Sequence, residues 1–146
     1  MTDQLTVRDL LIHNSGLAFS NHWWYGSGGE LLLRKDQTVQ AFNFLKQKTP
    51  FRTHYAYSNW PYCVAGEVIE KVSEQSFGTF LQDHIFASLN LSSTSAVRDN
   101  TLDNLAKPYA ILNDKTPYLL PFPKVQDGQI MAPAQAIRSS VNDMLT

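Results

Sequence analysis

Apolar positions along the chain recur mostly with the spacing of helices, in short blocks separated by polar and glycine-rich stretches. The run Leu5-Thr6-Val7-Arg8-Asp9-Leu10-Leu11 reads as a helix start. Thr6 is the N-cap, Asp9 completes a capping box from the third helical position, and Leu5 and Leu10 are spaced for a hydrophobic staple. Gly16 supplies the stop. Residues 18–30 hold Trp23, Trp24, Tyr25 and glycines 26, 28 and 29, which predicts a loop with an aromatic cluster. A helix is expected from Asp36 to Lys46, with Val39, Phe42 and Leu45 on one side. Pro50 to Tyr57 should be irregular. Asn59 followed by Trp60-Pro61 opens the next helix, with proline in its first turn. Its inward face should carry Val64, Val68, Ile69 and Val72, with Glu67, Glu70 and Lys71 pointing elsewhere. Ser76 caps a further helix with Phe77, Phe80, Leu81 and Ile85 inward.

Beyond Leu91 the pattern changes. Five of the seven prolines lie between Pro108 and Pro133, which disfavours long helices there. Tyr109 to Leu112 and Pro117 to Leu120 predict two short strands joined through Asn113-Asp114-Lys115. A last helical pattern begins near Ser139 or Ser140 and is still running at Thr146 with no stop signal, a first hint of truncation.

Composition is globular: 43% hydrophobic and 17% charged residues in a chain of 146, which argues against disorder. The formal charge is −1 with no basic tail or stripe, so no nucleic-acid partner is expected. One cysteine, Cys63, rules out an internal disulfide. The start Met1-Thr2-Asp3-Gln4 is polar and forms no signal peptide, and no apolar run reaches the ~18 residues of a membrane span. A soluble, cytoplasmic protein is the default expectation from this chain alone.

Most catalytic patterns are missing. Histidines 13, 22, 54 and 84 have no metal-ligand spacing and read as structural or surface residues, so no metal is expected. Gly26-Ser27-Gly28-Gly29 lacks the Lys-Ser/Thr of a phosphate loop and reads as a turn. Cys63 sits on a helix of apolar periodicity and reads as a packed thiol. Tyr57-Ser58-Asn59 is the segment with chemical interest. It stands between an irregular stretch and a helix N-terminus, where a phenol and an amide can be held at the edge of a cleft. A phenol, with an ordinary pKa of about 10, needs nearby cations to work as a base near neutrality. The same residues have plainer uses: Asn59 is a good N-cap and Tyr57 a packable aromatic.

Three ordered stretches give the chain a resemblance to the serine β-lactamase and penicillin-binding-protein superfamily, on its class C-like branch. Leu10-Leu11-Ile12-His13-Asn14-Ser15-Gly16-Leu17 is similar to the family's Leu-Leu-x-His-x-Ser-Gly-Leu segment. Tyr57-Ser58-Asn59 and Ala65 to Ser73 behind it resemble its Tyr-x-Asn motif and following helix, continued by Ser76 to Phe86 and Leu89-Asn90-Leu91. Ala106-Lys107-Pro108-Tyr109 and Ile137 to Met144 resemble later segments.

The resemblance implies an α+β chain, mainly the helical subdomain of a β-lactamase/DD-peptidase-like fold, with short strands or a hairpin after about residue 105. It implies one partial domain over 1–146, truncated at both ends, with no second domain. The family's reaction is acyl transfer from an amide or ester to a serine in Ser-x-x-Lys. Carried over by position, Tyr57 is the general base or proton relay, and Asn59 contacts the lysine or the substrate amide. Phe19 and Ser20 lie near the substrate cleft, while His13 and Ser15 fix the helix end. No cofactor is implied, and the partner is a small-molecule amide or ester.

Neither Ser-x-x-Lys nor the later Lys-Thr-Gly or His-x-Gly motif occurs within residues 1–146. The expectation is therefore a middle fragment, inactive alone, with the nucleophile upstream of Met1 and the last motif beyond Thr146. Against it stands a non-catalytic helical binding or assembly module that covers its apolar face by self-association or with a partner. An unrelated small α-rich domain is the third reading. Three departures from the family pattern bear on the backbone. Arg52 stands where glycine is usual, Pro61 replaces a common glycine, and Ala132-Pro133-Ala134-Gln135-Ala136 occupies a glycine-rich segment. Gln135 and Ala136 would be strained if those glycines need positive φ.

Overall fold

The computed structural model describes residues 4–98, 104–122 and 124–146; Met1, Thr2, Asp3 and Pro123, used in the sequence reading, lie outside them. Helix α1, Val7–Leu11, begins as its sequence dictates: Asp9 N–H donates to Thr6 Oγ1 at 3.3 Å, and Thr6 N–H donates back to Asp9 Oδ2 at 2.9 Å. The helix ends earlier than Gly16. His13 turns left-handed at φ 56° directly after it, so the histidine makes the stop. Gly16, at φ 74°, serves a different need. A Cβ there would collide with the Thr49 carbonyl, because Lys48 N–H donates to Gly16 O at 2.8 Å and Leu17 pairs with Gln47.

The expected helix over 36–46 is a 3₁₀ turn, Lys35–Gln37, running into α2, Thr38–Asn43. Phe42 and Leu45 are buried, whereas Val39 faces solvent. Helix α3, Trp60–Ser73, is the centre of the molecule and packs against α1, α2, α4 (Phe77–Leu81) and α5 (Ala132–Gln135). This surround corrects the expected inward face. Trp60, Pro61, Cys63, Ala65 and Gly66 are buried, Val64 and Ile69 are partly covered, and Val68 and Val72 are exposed. Where α3 crosses α5, a Cβ on Gly66 would overlap the Pro133 ring, so only glycine permits that approach. The same α5 removes the strain expected at Gln135 and Ala136. Both are right-handed, and the left-handed residue is Met131, at φ 66° just before the helix.

Ser76 caps α4 as expected, its Oγ accepting from Thr79 N–H at 3.2 Å. A wide π-type turn follows at Gln82–Phe86. The turn shifts the inward position by one residue, so Phe86 is buried with Phe77 and Leu81 while Ile85 is exposed. Strands β1, Tyr109–Ile111, and β2, Pro117–Leu119, form an antiparallel hairpin with Tyr109 opposite Leu119. Lys115 makes its turn at φ 67°. Residues 111–120 are all exposed. Helix α6, Val141–Met144, is capped by Ser140 and ends at Leu145, short of the expected run to Thr146.

One ion pair ties α1 to the segment before α3. Arg52 donates from Nε to Asp9 Oδ1 at 2.9 Å and from Nη2 to Asp9 Oδ2 at 2.8 Å. Arg52 adopts φ 61°, which explains why glycine is usual at this position; here the fork on Asp9 offsets the left-handed backbone. Hydrogen bonds from Arg52 first and Thr6 second hold the Asp9 carboxyl well below the usual carboxylate range. The folded chain therefore resists protonation at Asp9. The stabilisation is complete above the unfolded value of about 4 and is lost as pH falls through the folded one. In an acid titration followed by tryptophan fluorescence, Arg52→Ala is expected to unfold at higher pH than the native chain. Equal midpoints would show that the pair is not coupled to folding.

Candidate active site

Tyr57 and Ser58 are irregular and Asn59 turns helical into α3, and the Tyr57 and Asn59 side chains meet. The Tyr57 phenol donates to Asn59 Oδ1 at 2.8 Å. Asn59 is not used as a side-chain N-cap: its Nδ2 donates to Asn21 Oδ1 at 3.3 Å. Asn21 Oδ1 also accepts from Trp24 Nε1 at 3.2 Å, so one amide oxygen ties Asn59 to the buried Trp24. Asn59 is 5% exposed and Tyr57 50%, which leaves a fixed amide beneath an accessible phenol.

The pair lines a pocket of about 260 Å³ with His13, Tyr62 and Ala134. The His13 ring lies 4.8 Å from the Tyr57 ring, 5.0 Å from Tyr62 in a stacked pose, and 5.5 Å from Tyr55 edge-on. Tyr62 is held in turn by its hydroxyl, which donates to Leu11 O at 3.1 Å. Burial pushes the His13 imidazole below its ordinary range.

The structure puts Phe19 and Ser20 at this site in different ways. The Phe19 ring is half exposed, with its centroid 6.1 Å from that of Tyr57. Ser20 contributes backbone: at φ 41° it begins the 3₁₀ turn Asn21–Trp23, and its carbonyl accepts from Trp60 Nε1 at 3.3 Å. Ser15 is fully buried and its Oγ accepts from Leu17 N–H at 3.4 Å, a structural use. Cys63 is buried against Met131 Sδ at 3.0 Å, and burial pushes its thiol up to about 12, as befits a packed residue. Asn21 was not legible as a site residue; nothing local distinguishes it in the loop. His13 was visible as part of a motif, but its partners lie some forty residues on.

A larger apolar groove of about 530 Å³ lies elsewhere, among Trp23, Leu33, Ala41, Phe44 and Lys46. It holds no pair of proton-handling groups. Among the described residues no cluster of His, Cys, Asp and Glu side chains is placed to hold a metal, and no helix is long and apolar enough to cross a membrane.

Residues 2–146 match the family model described as Beta-lactamase. Among curated proteins, the unguisins hydrolase ungD of Aspergillus violaceofuscus is 30% identical over 97% of this chain and 26% of its own length. The unguisins hydrolase ungD' of Aspergillus campestris is 26% identical over 97% of this chain and 27% of its own length. Among solved structures, the octameric penicillin-binding protein homologue from Pyrococcus abyssi superposes with a TM-score of 0.73 at 20% identity, over 96% of this chain and 33% of that one. A D-stereospecific amidohydrolase from Streptomyces sp. gives 0.72 at 20% identity, over 97% and 44%. The chain thus spans about a quarter of the length of these curated relatives and a third to a half of these solved ones. It has the α+β make-up of these neighbours: mostly helices with one short two-stranded sheet among the described residues.

Proposed function

The chain belongs to the Beta-lactamase family, and from that premise we propose that it carries the Tyr-x-Asn part of a serine hydrolase or transesterase site that moves an acyl group from an amide or ester. The observation that carries the reading is the bonded pair itself. Tyr57 and Asn59 meet at 2.8 Å on a pocket wall, the phenol open to a substrate and the amide anchored through Asn21.

In this reading the nucleophilic serine and its lysine come from a Ser-x-x-Lys that is not within residues 1–146. A lysine ammonium beside Tyr57 would stabilise the phenolate, the form needed for base catalysis, and Asn59 would hold that lysine or the substrate amide. Deprotonation breaks the present bond to Asn59 Oδ1, since a phenolate cannot donate, so the lysine ammonium would have to take that place beside the phenol oxygen. Phe19 would form an apolar wall of the cleft, and Ser20 would shape it through its backbone. No cofactor enters the scheme. Amides are the first substrates to try, since the relatives include an amidohydrolase and a D-amino acid amidase from Ochrobactrum anthropi SV3.

The test is acylation by a fluorescent penicillin or an activated ester, read by intact mass. The chain as given should take no adduct, and a chain extended upstream through Ser-x-x-Lys and downstream through the last motif should take one at that serine. A serine-linked adduct on the unextended chain, or none on the extended one, would sink the reading. The second reading, a helical assembly module, draws on exposed apolar side chains such as Val72, Ile111, Val141 and Leu145. It requires the unextended chain to sediment as a defined oligomer.

A further inference from the structure

We propose that His13 is the positioning residue for Tyr57: its backbone carbonyl and its neutral Nδ1 grip the chain on both sides of the tyrosine, and protonation of the ring opens one half of that grip. The proposal rests on the reading of Tyr57 as the proton-handling residue.

The grip is made by one residue reaching across some forty positions. His13 O accepts from Ala56 N–H at 2.8 Å, and His13 Nδ1 accepts from Ser58 N–H at 3.4 Å. Tyr57 lies between the two anchored amides. Its ring rests against the imidazole, and its hydroxyl is already committed to Asn59. Few residue types meet all these demands. The position is left-handed at φ 56°, which histidine, asparagine and aspartate tolerate better than most. The side chain must also present an acceptor, and an apolar face for Tyr62 to stack on.

The acceptor fixes the chemistry of the ring. Ser58 N–H can only donate, so Nδ1 must carry a lone pair and the proton must sit on Nε2. An imidazolium has no acceptor and would set two N–H groups against each other within the buried segment. Buried Ser58 has no water to replace the lost partner. The groups facing the ring are phenols, Tyr55 and Tyr57 from the segment before α3 and Tyr62 from α3. On α1, Arg8 and Asp9 precede it, and Asp9 is bound to Arg52. Helix α5 brings Ala134 and no titratable side chain. Burial is what lowers the imidazole, so the neutral form prevails at neutral pH. The clamp is therefore intact above about pH 6.5, and its stabilisation is lost as pH falls through the folded value.

The experiment is nitrogen-15 NMR and amide exchange on the purified chain. The native protein should show an unprotonated Nδ1 and a protonated Nε2 near neutral pH. The Ser58 protection factor should fall about tenfold, the worth of one neutral hydrogen bond, as His13 titrates. His13→Phe keeps a ring and loses the acceptor, so Ser58 should be poorly protected at every pH. His13→Asn places an oxygen where Nδ1 was and tolerates the left-handed backbone. It should restore protection and remove its pH dependence. Exchange at Glu67 in α3 reports the fold separately; if His13→Phe unfolds α3, the native tautomer, the native pH profile and the Asn rescue decide. An Nδ1-protonated ring, a pH-independent Ser58 amide in the native chain, or an Asn variant as exposed as the Phe variant would each overturn the proposal. Acylation of the chain extended at both ends is scored apart. A clamp that behaves as stated in a protein that takes no acyl label leaves the positioning role standing and removes the acyl-transfer reading. The converse result removes the positioning role alone.

Discussion

Trp60→Ala is expected to cost about 3–5 kcal/mol, much of the 5–15 kcal/mol that holds a typical domain together. Trp60 is fully buried at the first turn of α3, the helix on which α1, α2, α4 and α5 all pack. Truncation would leave a cavity in the larger of the two apolar clusters, among Leu10, Phe42, Cys63 and Ala132. It would also orphan the Ser20 carbonyl, whose hydrogen bond from Trp60 Nε1 holds the left-handed turn leading to Asn21. The loss should therefore spread from the core to the site. Urea unfolding measures the first effect. Reaction of buried Cys63 with a thiol reagent measures the second side of the same collapse, since that thiol reacts only when the core opens. A midpoint within experimental error of the native one would contradict the central place given to α3.

The second large effect is chemical. In a chain extended at both ends to include the nucleophile and the last motif, Tyr57→Phe should slow acylation by about 10²–10⁴-fold, the range for losing a positioned proton-transfer group. The fold should hardly respond. Phenylalanine keeps the ring contacts with His13 and Phe19, and only one neutral hydrogen bond, to Asn59, disappears. That bond is worth about 0.5–1.5 kcal/mol. The rate constant should drop with little change in the probe concentration at half-saturation, because the proton is moved in the transition state. An unchanged acylation rate would remove Tyr57 from the chemistry.

Local signals in the sequence translated faithfully. The Thr6–Asp9 box, the Ser76 cap, the helix start near Ser139 or Ser140 and the hairpin turn at Asn113-Asp114-Lys115 each depend on residues within a few positions of one another. Periodicity failed where the surroundings were not one-sided. Val68 and Val72 fit a single apolar stripe, but over its second half α3 is covered at Ile69 and Glu70, where it meets α4, so the two valines end in solvent. A π-type turn exchanged Ile85 for Phe86, and no residue pattern announces an added residue per turn.

The site divides in the same way. Tyr57 and Asn59 stood out through their resemblance to a Tyr-x-Asn motif at a helix start, and their side chains do meet. Asn21 and the Asp9–Arg52 pair did not stand out, and His13 did so only as part of a motif, because their contacts run across 38 to 45 residues. Asn59 shows the cost of reading locally. Its type suits an N-cap, yet its side chain is committed to Asn21 and Tyr57.

The exposed hairpin has a practical use. Every residue from 111 to 120 is open to solvent, and the turn at Asp114 is braced from within, by Thr116 N–H on Asp114 Oδ1 and Lys115 N–H on Leu112 O, both at 2.9 Å. It is a natural handle. An epitope, a dye or a protease site inserted beside Asp114 would be reached first by any large reagent. Tyr57 and its supports take no part in that turn, so the molecule can be tagged there while its chemistry is being measured.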